Sequence, residues 1–281
     1  MNINWYPGHM KKAADGIREQ LKLVDLCCEI VDARIPKSSS NVMLEKLTAE
    51  KPRLIILSKQ DMADPAETKR WIAFLTQKGQ KAIAMNVLTD QKTKLIYETA
   101  RALVAENMEK RRQKDITNEE LRMLVFGIPN SGKSTFINNL AKRRSAKVGD
   151  RPGVTTQRQW IKTDEKLVLL DTPGVLWPKL DETQALHLAY TGAIRDEVLE
   201  LEEVGFSLIK DLLTLDAAIL ERRYGVAKEQ SALEVMEDIG RKTGALLRGG
   251  EIDYRRTAQT VLDDFRKNRM GRISLERVRQ K

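Results

Sequence analysis

An α/β fold with a mostly parallel, doubly wound sheet, followed by an all-helical part, is what this sequence predicts, and three observations predict it. Short runs rich in Val, Ile and Leu alternate with longer amphipathic segments as far as about residue 178, the pattern of strands feeding crossover helices. One of those runs leads through a glycine-rich turn straight into a helix-like segment, the strand-loop-helix context of a phosphate-binding loop. After Pro178 the strand pattern stops and helical spacing takes over. Residues 1–178 are therefore assigned to an α/β domain and 179–281 to a helical one.

Taken in order, the predicted strands are VDLCCEIVD, RLIILS, KAIAM, RMLVFG, RQWIKT and KLVLLD. Each is short and carries an apolar stretch bounded by polar or turn-forming residues. Between them, residues 10–24, 65–78, 90–112 and 133–142 carry helical spacing, with Pro65 placed in a first turn, where its missing N–H costs nothing. Beyond Pro178 the helical stretches are 182–223, 229–245 and 254–267, interrupted at Gly192, Gly225 and the Gly249-Gly250 pair. Cys27 and Cys28 are adjacent within a predicted strand, a placement that suits neither a disulfide framework nor a metal site.

Composition excludes several classes. The 281 residues are 41% apolar and 32% charged, and no run approaches the roughly 18 apolar residues of a membrane span. The first residues lack the basic stretch, apolar centre and small-residue cleavage site of a secretory leader. A cytoplasmic protein without membrane contact is expected, acting as a monomer. The net charge of +9 suits a polyanionic partner, because basic side chains on phosphates release counterions; a merely soluble basic surface accounts for it equally. The terminal FRKNRMGRISLERVRQK concentrates seven basic side chains against one Glu, which makes it either a polyanion contact or a solvated tail.

GIPNSGKS, Gly127 to Ser134, matches the Gly-x4-Gly-Lys-Ser/Thr phosphate loop and is followed by a helix-like TFINNLAKR. Pro129, Asn130, Ser131, Gly132, Lys133, Ser134 and Thr135 would line a nucleoside triphosphate. The glycines let the backbone wrap around phosphate oxygens, and successive N–H groups at a helix start supply positive potential. Lys133 would reach the β- and γ-phosphates and Ser134 would ligand Mg²⁺. DTPG, Asp171 to Gly174, follows KLVLL. Asp171 therefore falls at a strand end, where its carboxylate can hold Mg²⁺ through water, and Gly174 can offer its N–H to the γ-phosphate. In the intervening RPGVTTQRQW, Thr155 or Thr156 could reach the metal.

The base needs its own reader. SKQD, Ser58 to Asp61, follows LIIL and resembles the NKxD guanine motif of GTPases, with Ser58 standing where Asn is usual. The Asp61 carboxylate can accept from both N1–H and the exocyclic amino group of guanine, a charge-assisted bidentate pair for which adenine has no matching donors. Lys59 would lay its stem along the base or the phosphate loop. In GTPases of the usual order this motif follows DxxG, whereas here it precedes the phosphate loop by about 70 residues. The domain thus reads as a circularly permuted P-loop GTPase domain, with 106–120, ENMEKRRQKDITNEE, as the polar connection joining the former ends. MNVLTD, after KAIAM, departs from the base-contacting sequence expected there.

Together with the permuted order, WYPGHM, DARIP, GIPNSGKST, PGVTT, DTPG and the GRISLE ending resemble the ribosome biogenesis GTPase A family over essentially the whole chain. The resemblance implies slow, ribosome-stimulated hydrolysis of GTP to GDP and phosphate. It also implies binding to immature large ribosomal subunits, with rRNA and ribosomal proteins as contacts of the helical domain, and a GTP/GDP switch acting in late maturation. The alternative is a nucleotide-gated rRNA-binding scaffold in which hydrolysis is incidental. An ATP-dependent RNA-remodelling enzyme is a third reading, against which Asp61 argues.

Val175 follows DTPG where many GTPases carry a water-orienting Gln. Permutation brings the N-terminal segment toward the switch region, and His9 is the candidate to orient or deprotonate water, with an exposed loop histidine as the bland alternative. Asn130 resembles the phosphate-loop Asn that ligands K⁺ in some GTPases lacking that Gln, or else it stabilises the turn. Arg34, in DARIP, is either a contact residue or half of a strand-end ion pair. His187 sits on a helical pattern and reads as structural.

Overall fold

The computed structural model describes residues 15–113, 120–142, 159–172, 174, 176 and 180–278. Two compact units divide the chain, Met1–Lys179 with Glu276–Lys281 and Leu180–Leu275. The last residues thus belong with the first unit, whereas the sequence reading kept all of 179–281 in the helical part.

Among the described residues the first unit holds six strands: β1 (Leu26–Asp32), β2 (Arg53–Ser58), β3 (Lys81–Ala84), β4 (Leu121–Gly127), β5 (Gln159–Lys162) and β6 (Leu167–Asp171). Their order across the sheet is β3-β2-β1-β4-β6-β5. All neighbours run parallel except β5, which pairs antiparallel with β6. The helices are α1 (15–21), α2 (Pro36–Ser39), α3 (Val42–Leu47), α4 (Pro65–Gln77), α5 (Thr93–Leu103), α6 (Ala105–Arg112) and α7 (Lys133–Leu140).

β1 is buried along its whole length, as a parallel strand covered on both faces requires. Its alternate residues serve different cores. Leu26, Cys28 and Ile30 pack with Ile96 and Ala100 of α5 and Phe136, Ile137 and Leu140 of α7. Cys27 joins Ile17 of α1 and Leu44 of α3, and Val31 joins Trp71 of α4. Helices on both faces make the sheet doubly wound. Burial pushes the Cys27 thiol up to about 12 and holds that of Cys28 well above its ordinary range, so both are core residues rather than nucleophiles.

Parallel pairing brings strand ends to one edge. Asp32 lies opposite Ser58, Ile30 opposite Gly127, and Val125 opposite Asp171. The carboxyl edge of such a sheet is where α/β folds bind ligands.

Local chemistry sets the start of α4. Pro65 occupies the first turn of α4, and the Asp64 carboxylate caps it by accepting from the N–H groups of Ala66 and Glu67. The segment 90–112, read as one helix, is two. The chain leaves helical geometry at Val104, whose buried side chain packs into the sheet core. α6 also occupies the first part of the presumed polar connection 106–120, of which 114–119 lie outside the described residues.

The second unit contains α8 (Glu182–Tyr190), a 3₁₀ turn (Asp196–Val198), α9 (Leu201–Asp216), α10 (Ala218–Tyr224), α11 (Ala232–Thr243) and α12 (Tyr254–Arg266). The stretch 182–223 is thus interrupted after Tyr190, where Gly192 takes a left-handed φ of 74°, and again at Ala217. His187 is buried on α8 beside Tyr190, a structural position. No described helix is long and apolar enough to cross a membrane.

α9 and α12 cross at Gly205, where a Cβ would lie 2.5 Å from Ala258 Cβ. Gly205→Ala is expected to cost about 1–3 kcal/mol through overpacking, read as a lower midpoint of thermal unfolding. An unchanged midpoint would mean that the helices part freely to admit a methyl group.

Glu276 and Val278, at the end of the described residues, are tied to the first unit. The Glu276 carboxylate accepts from the N–H groups of Lys37, at 2.6 Å, and Ser38, at 3.0 Å, and from the Ser38 hydroxyl. An anion thus caps the start of α2. Trp71 Nε1 donates to the Glu276 carbonyl at 3.0 Å, and Val278 packs on the apolar face of α4.

Candidate active site

The phosphate-loop sequence folds as strand, turn and helix. β4 ends at Gly127, Asn130 adopts a left-handed φ of 56°, and Gly132, at φ 89°, precedes α7. The N-cap residue of that helix is Gly132, which has no side chain to cap it, and a helix start of this kind can offer backbone N–H groups to an anion. Lys133 and Ser131 are buried, while Pro129, Asn130, Gly132, Ser134 and Thr135 are partly exposed along the turn and first helical residues.

DTPG is bound to this loop from the neighbouring strand. The Thr172 hydroxyl donates to the Val125 carbonyl at 2.9 Å. A Cβ on Gly174 would lie 2.9 Å from Pro129 N, so only glycine lets the two backbones approach this closely. Lys133 Nζ donates to Asp171 Oδ1 at 2.6 Å, both side chains being almost fully buried. The lysine expected on phosphate and the carboxylate expected on metal thus hold one another. Asp171 at the end of β6 and the Ser134 hydroxyl on α7 form the oxygen donor set that Mg²⁺ prefers, and these two residues could hold it.

The base motif meets the same loop from the other side. The Ser58 hydroxyl bonds both the Val31 carbonyl, at 2.9 Å, and the Ser131 carbonyl, at 2.6 Å. Lys59, itself left-handed at φ 55°, donates from Nζ to the Asn130 carbonyl at 2.7 Å. Left-handed backbone at non-glycine residues costs on the order of 1 kcal/mol each, and Lys59 and Asn130 carry it on both sides of one contact. Asp61 follows in a turn closed by Met62 N–H donating to the Lys59 carbonyl.

Two groups beside this motif went unassigned in the sequence. Asp90, the last residue of MNVLTD, accepts from Gln60 Nε2 at 2.7 Å and Asn86 N–H at 3.0 Å, and pairs with Lys92. MNVLTD thereby buttresses the base motif although its sequence departs from the expected pattern. Asp32 pairs with Lys59 at 3.0 Å and with Arg34 at 2.8 Å. Arg34 is buried and is therefore the ion-pair residue of the two readings given to it. The clue to both groups was an acid one strand or loop away from SKQD, which only the fold makes adjacent.

A family described as "50S ribosome-binding GTPase" matches residues 122–234. "Ribosome biogenesis GTPase A" of Bacillus cereus is 44% identical over 278 residues, spanning 98% of this chain and 94% of that protein. The chain belongs to the ribosome biogenesis GTPase A family. Two solved structures of its Thermotoga maritima relative YlqF, GDP-bound and GNP-bound, superpose with TM-scores of 0.67 and 0.66 at 27% and 28% identity. They cover 93% and 95% of this chain, and 98% of each of those chains is covered.

As a ribosome biogenesis GTPase A family member, this protein is a P-loop GTPase, and the fold brings together three sequence-predicted parts: SKQD, GIPNSGKS and DTPG. His9, Thr155 and Thr156 lie outside the described residues. The part of the basic terminal segment that lies in the helical unit is partly committed. Arg266 pairs with Asp196, Lys267 with Asp263 and Arg269 with Asp264, so it offers a polyanion less charge than its residue count suggests.

Proposed function

We propose that this GTPase binds immature large ribosomal subunits and acts as a GTP/GDP switch in their late maturation, in the cytoplasm and as a monomer. The observation that carries the reading is the two-point junction between base motif and phosphate loop, Ser58 to Ser131 and Lys59 to Asn130. It ties the residues proposed to read guanine to those proposed to hold the phosphates, in a chain whose relatives are named for ribosome biogenesis. The strand order supports a circularly permuted domain: the base motif ends β2, the phosphate loop ends β4, and β1 pairs with both.

Asp61 reads guanine; Lys133 and the Gly174 N–H stabilise charge on the γ-phosphate. Pro129 through Thr135 cradle the phosphates. Ser134, Asp171 and Thr155 or Thr156 would hold Mg²⁺, which would supply charge neutralisation at the phosphates. Asn130 is the residue for a K⁺ ion, and His9 orients the attacking water. The helical unit contacts rRNA and ribosomal proteins through its remaining exposed basic side chains, among them Arg272.

The test is steady-state GTP hydrolysis with and without immature and mature large subunits, in K⁺ and with ATP as control. GTP-specific stimulation by the particles is expected, and His9→Ala should slow stimulated turnover about tenfold or more at nearly unchanged nucleotide affinity. Tight nucleotide-dependent particle binding without stimulation would favour the scaffold reading. Neither binding nor stimulation would leave the GTPase assignment alone.

A further inference from the structure

Asp32 ends β1, the strand lying between the base-motif strand and the phosphate-loop strand, and it sits in register with Ser58. Its carboxylate is 1% exposed and fully engaged. Oδ1 accepts from the Arg34 N–H and Nε, each at 3.0 Å. Oδ2 accepts from the Arg34 guanidinium at 2.8 Å and lies 3.0 Å from Lys59 Nζ. Lys59 Nζ in turn reaches the Asn130 carbonyl at 2.7 Å.

From these contacts we propose that Asp32 is a positioning residue for nucleotide binding: held in place by Arg34, it fixes the Lys59 ammonium as the strut between the guanine motif and the phosphate loop.

The electrostatics explain why a carboxylate is needed there. Burial works against the charge of Lys59 and lowers its affinity for a proton, while Asp32 works the other way. Burial likewise pushes the Asp32 carboxyl up, but Arg34 and Lys59 outweigh it and hold it well below the usual carboxylate range. The anion therefore persists at neutral pH, between two cations, one buried and one partly exposed, that would otherwise repel each other. Without it, the Lys59 side chain, partly exposed already, would turn toward water and its contact with Asn130 would weaken. Arg34 cannot serve as the strut itself, because its guanidinium is folded back onto Asp32 along two hydrogen bonds. The Ser39 hydroxyl accepts the Asp32 N–H at 2.9 Å, which holds the strand end in register with the base motif.

The experiment is equilibrium titration with fluorescent GDP and GTP analogues on the full chain, for Asp32→Asn, Lys59→Met and the double variant, alongside thermal melts and GTP turnover. Asp32→Asn is expected to weaken nucleotide affinity about 10- to 100-fold, the scale of one charge-assisted hydrogen bond, while kcat at saturating GTP changes much less. On the Lys59→Met background the same change should add under about threefold, because the strut is already gone. Affinity unaltered in folded Asp32→Asn, or effects of the two substitutions that simply multiply, would overturn the proposal and leave Asp32 a structural ion pair. If Asp32→Asn does not melt cooperatively, the pair Asp32→Asn with Arg34→Met decides. It removes one anion and one cation together, keeps the buried net charge, and carries the same expectation for affinity.

Discussion

Lys133→Ala is expected to lower kcat/KM for GTP by about 10²- to 10³-fold, the scale of losing one preorganised charge at a transferring phosphoryl group. The substitution acts twice. It removes the one cation that GIPNSGKS contributes to the phosphates, and it leaves the Asp171 carboxylate, 2% exposed, without the partner now 2.6 Å away. Breaking a buried pair from one side costs about 3–5 kcal/mol, so the nucleotide-free variant should also melt at lower temperature. On the proposed roles of Lys133 and Asp171, the pair would part or be shared when a triphosphate and its metal arrive, and that rearrangement would enter the cost of binding. Turnover within about tenfold of the parent would show that Lys133 does not face the reacting phosphate. Loss of turnover with an unchanged melting point would show that the Lys133–Asp171 pair does not hold the nucleotide-free site together.

The parts of this site that were legible in the sequence are those whose chemistry is local. GIPNSGKS is contiguous, and its glycines, lysine and serine act within one turn, so strand-loop-helix context sufficed to place it. DTPG and SKQD were legible for the same reason, each sitting at the end of an aliphatic run that the fold makes a buried strand. What was not legible depends on pairing across the sheet. Asp32 and Lys59 are neighbours only because β1 and β2 pair in parallel register, and DARIP alone left Arg34 open between contact and ion pair. Lys133 with Asp171 needs the pairing of β4 with β6. Glu276 on α2 joins residues 239 positions apart, a distance no periodicity reports. The break at Val104 was missed because amphipathic spacing continues through it: the side chain stays on the core face while the backbone leaves helical geometry. The same limit governed the basic terminal segment, where counting Lys and Arg overlooked the acids of α12 and the 3₁₀ turn that three of them pair with.

Asp61→Asn is expected to weaken GTP binding by about 10²- to 10³-fold and to create affinity for xanthosine triphosphate. A carboxylate presents two acceptors to guanine, one for N1–H and one for the exocyclic amino group. An amide presents one acceptor and one donor, and its donor would face the amino group of guanine, donor against donor. In xanthine a carbonyl replaces that amino group, and the amide matches it. The surroundings should survive the change, because Asp61 is only partly buried and its neighbours are held independently: Lys59 by Asp32 and Asn130, Gln60 by Asp90. Lys59 and the phosphate loop treat both triphosphates alike, so the switch should appear in the ratio of the two affinities and in competition assays, not in kcat at saturation. Equal loss for the two nucleotides, with ATP no worse than either, would remove Asp61 as the reader of the base and move the search for that group to the loop of Asn86 and Asp90.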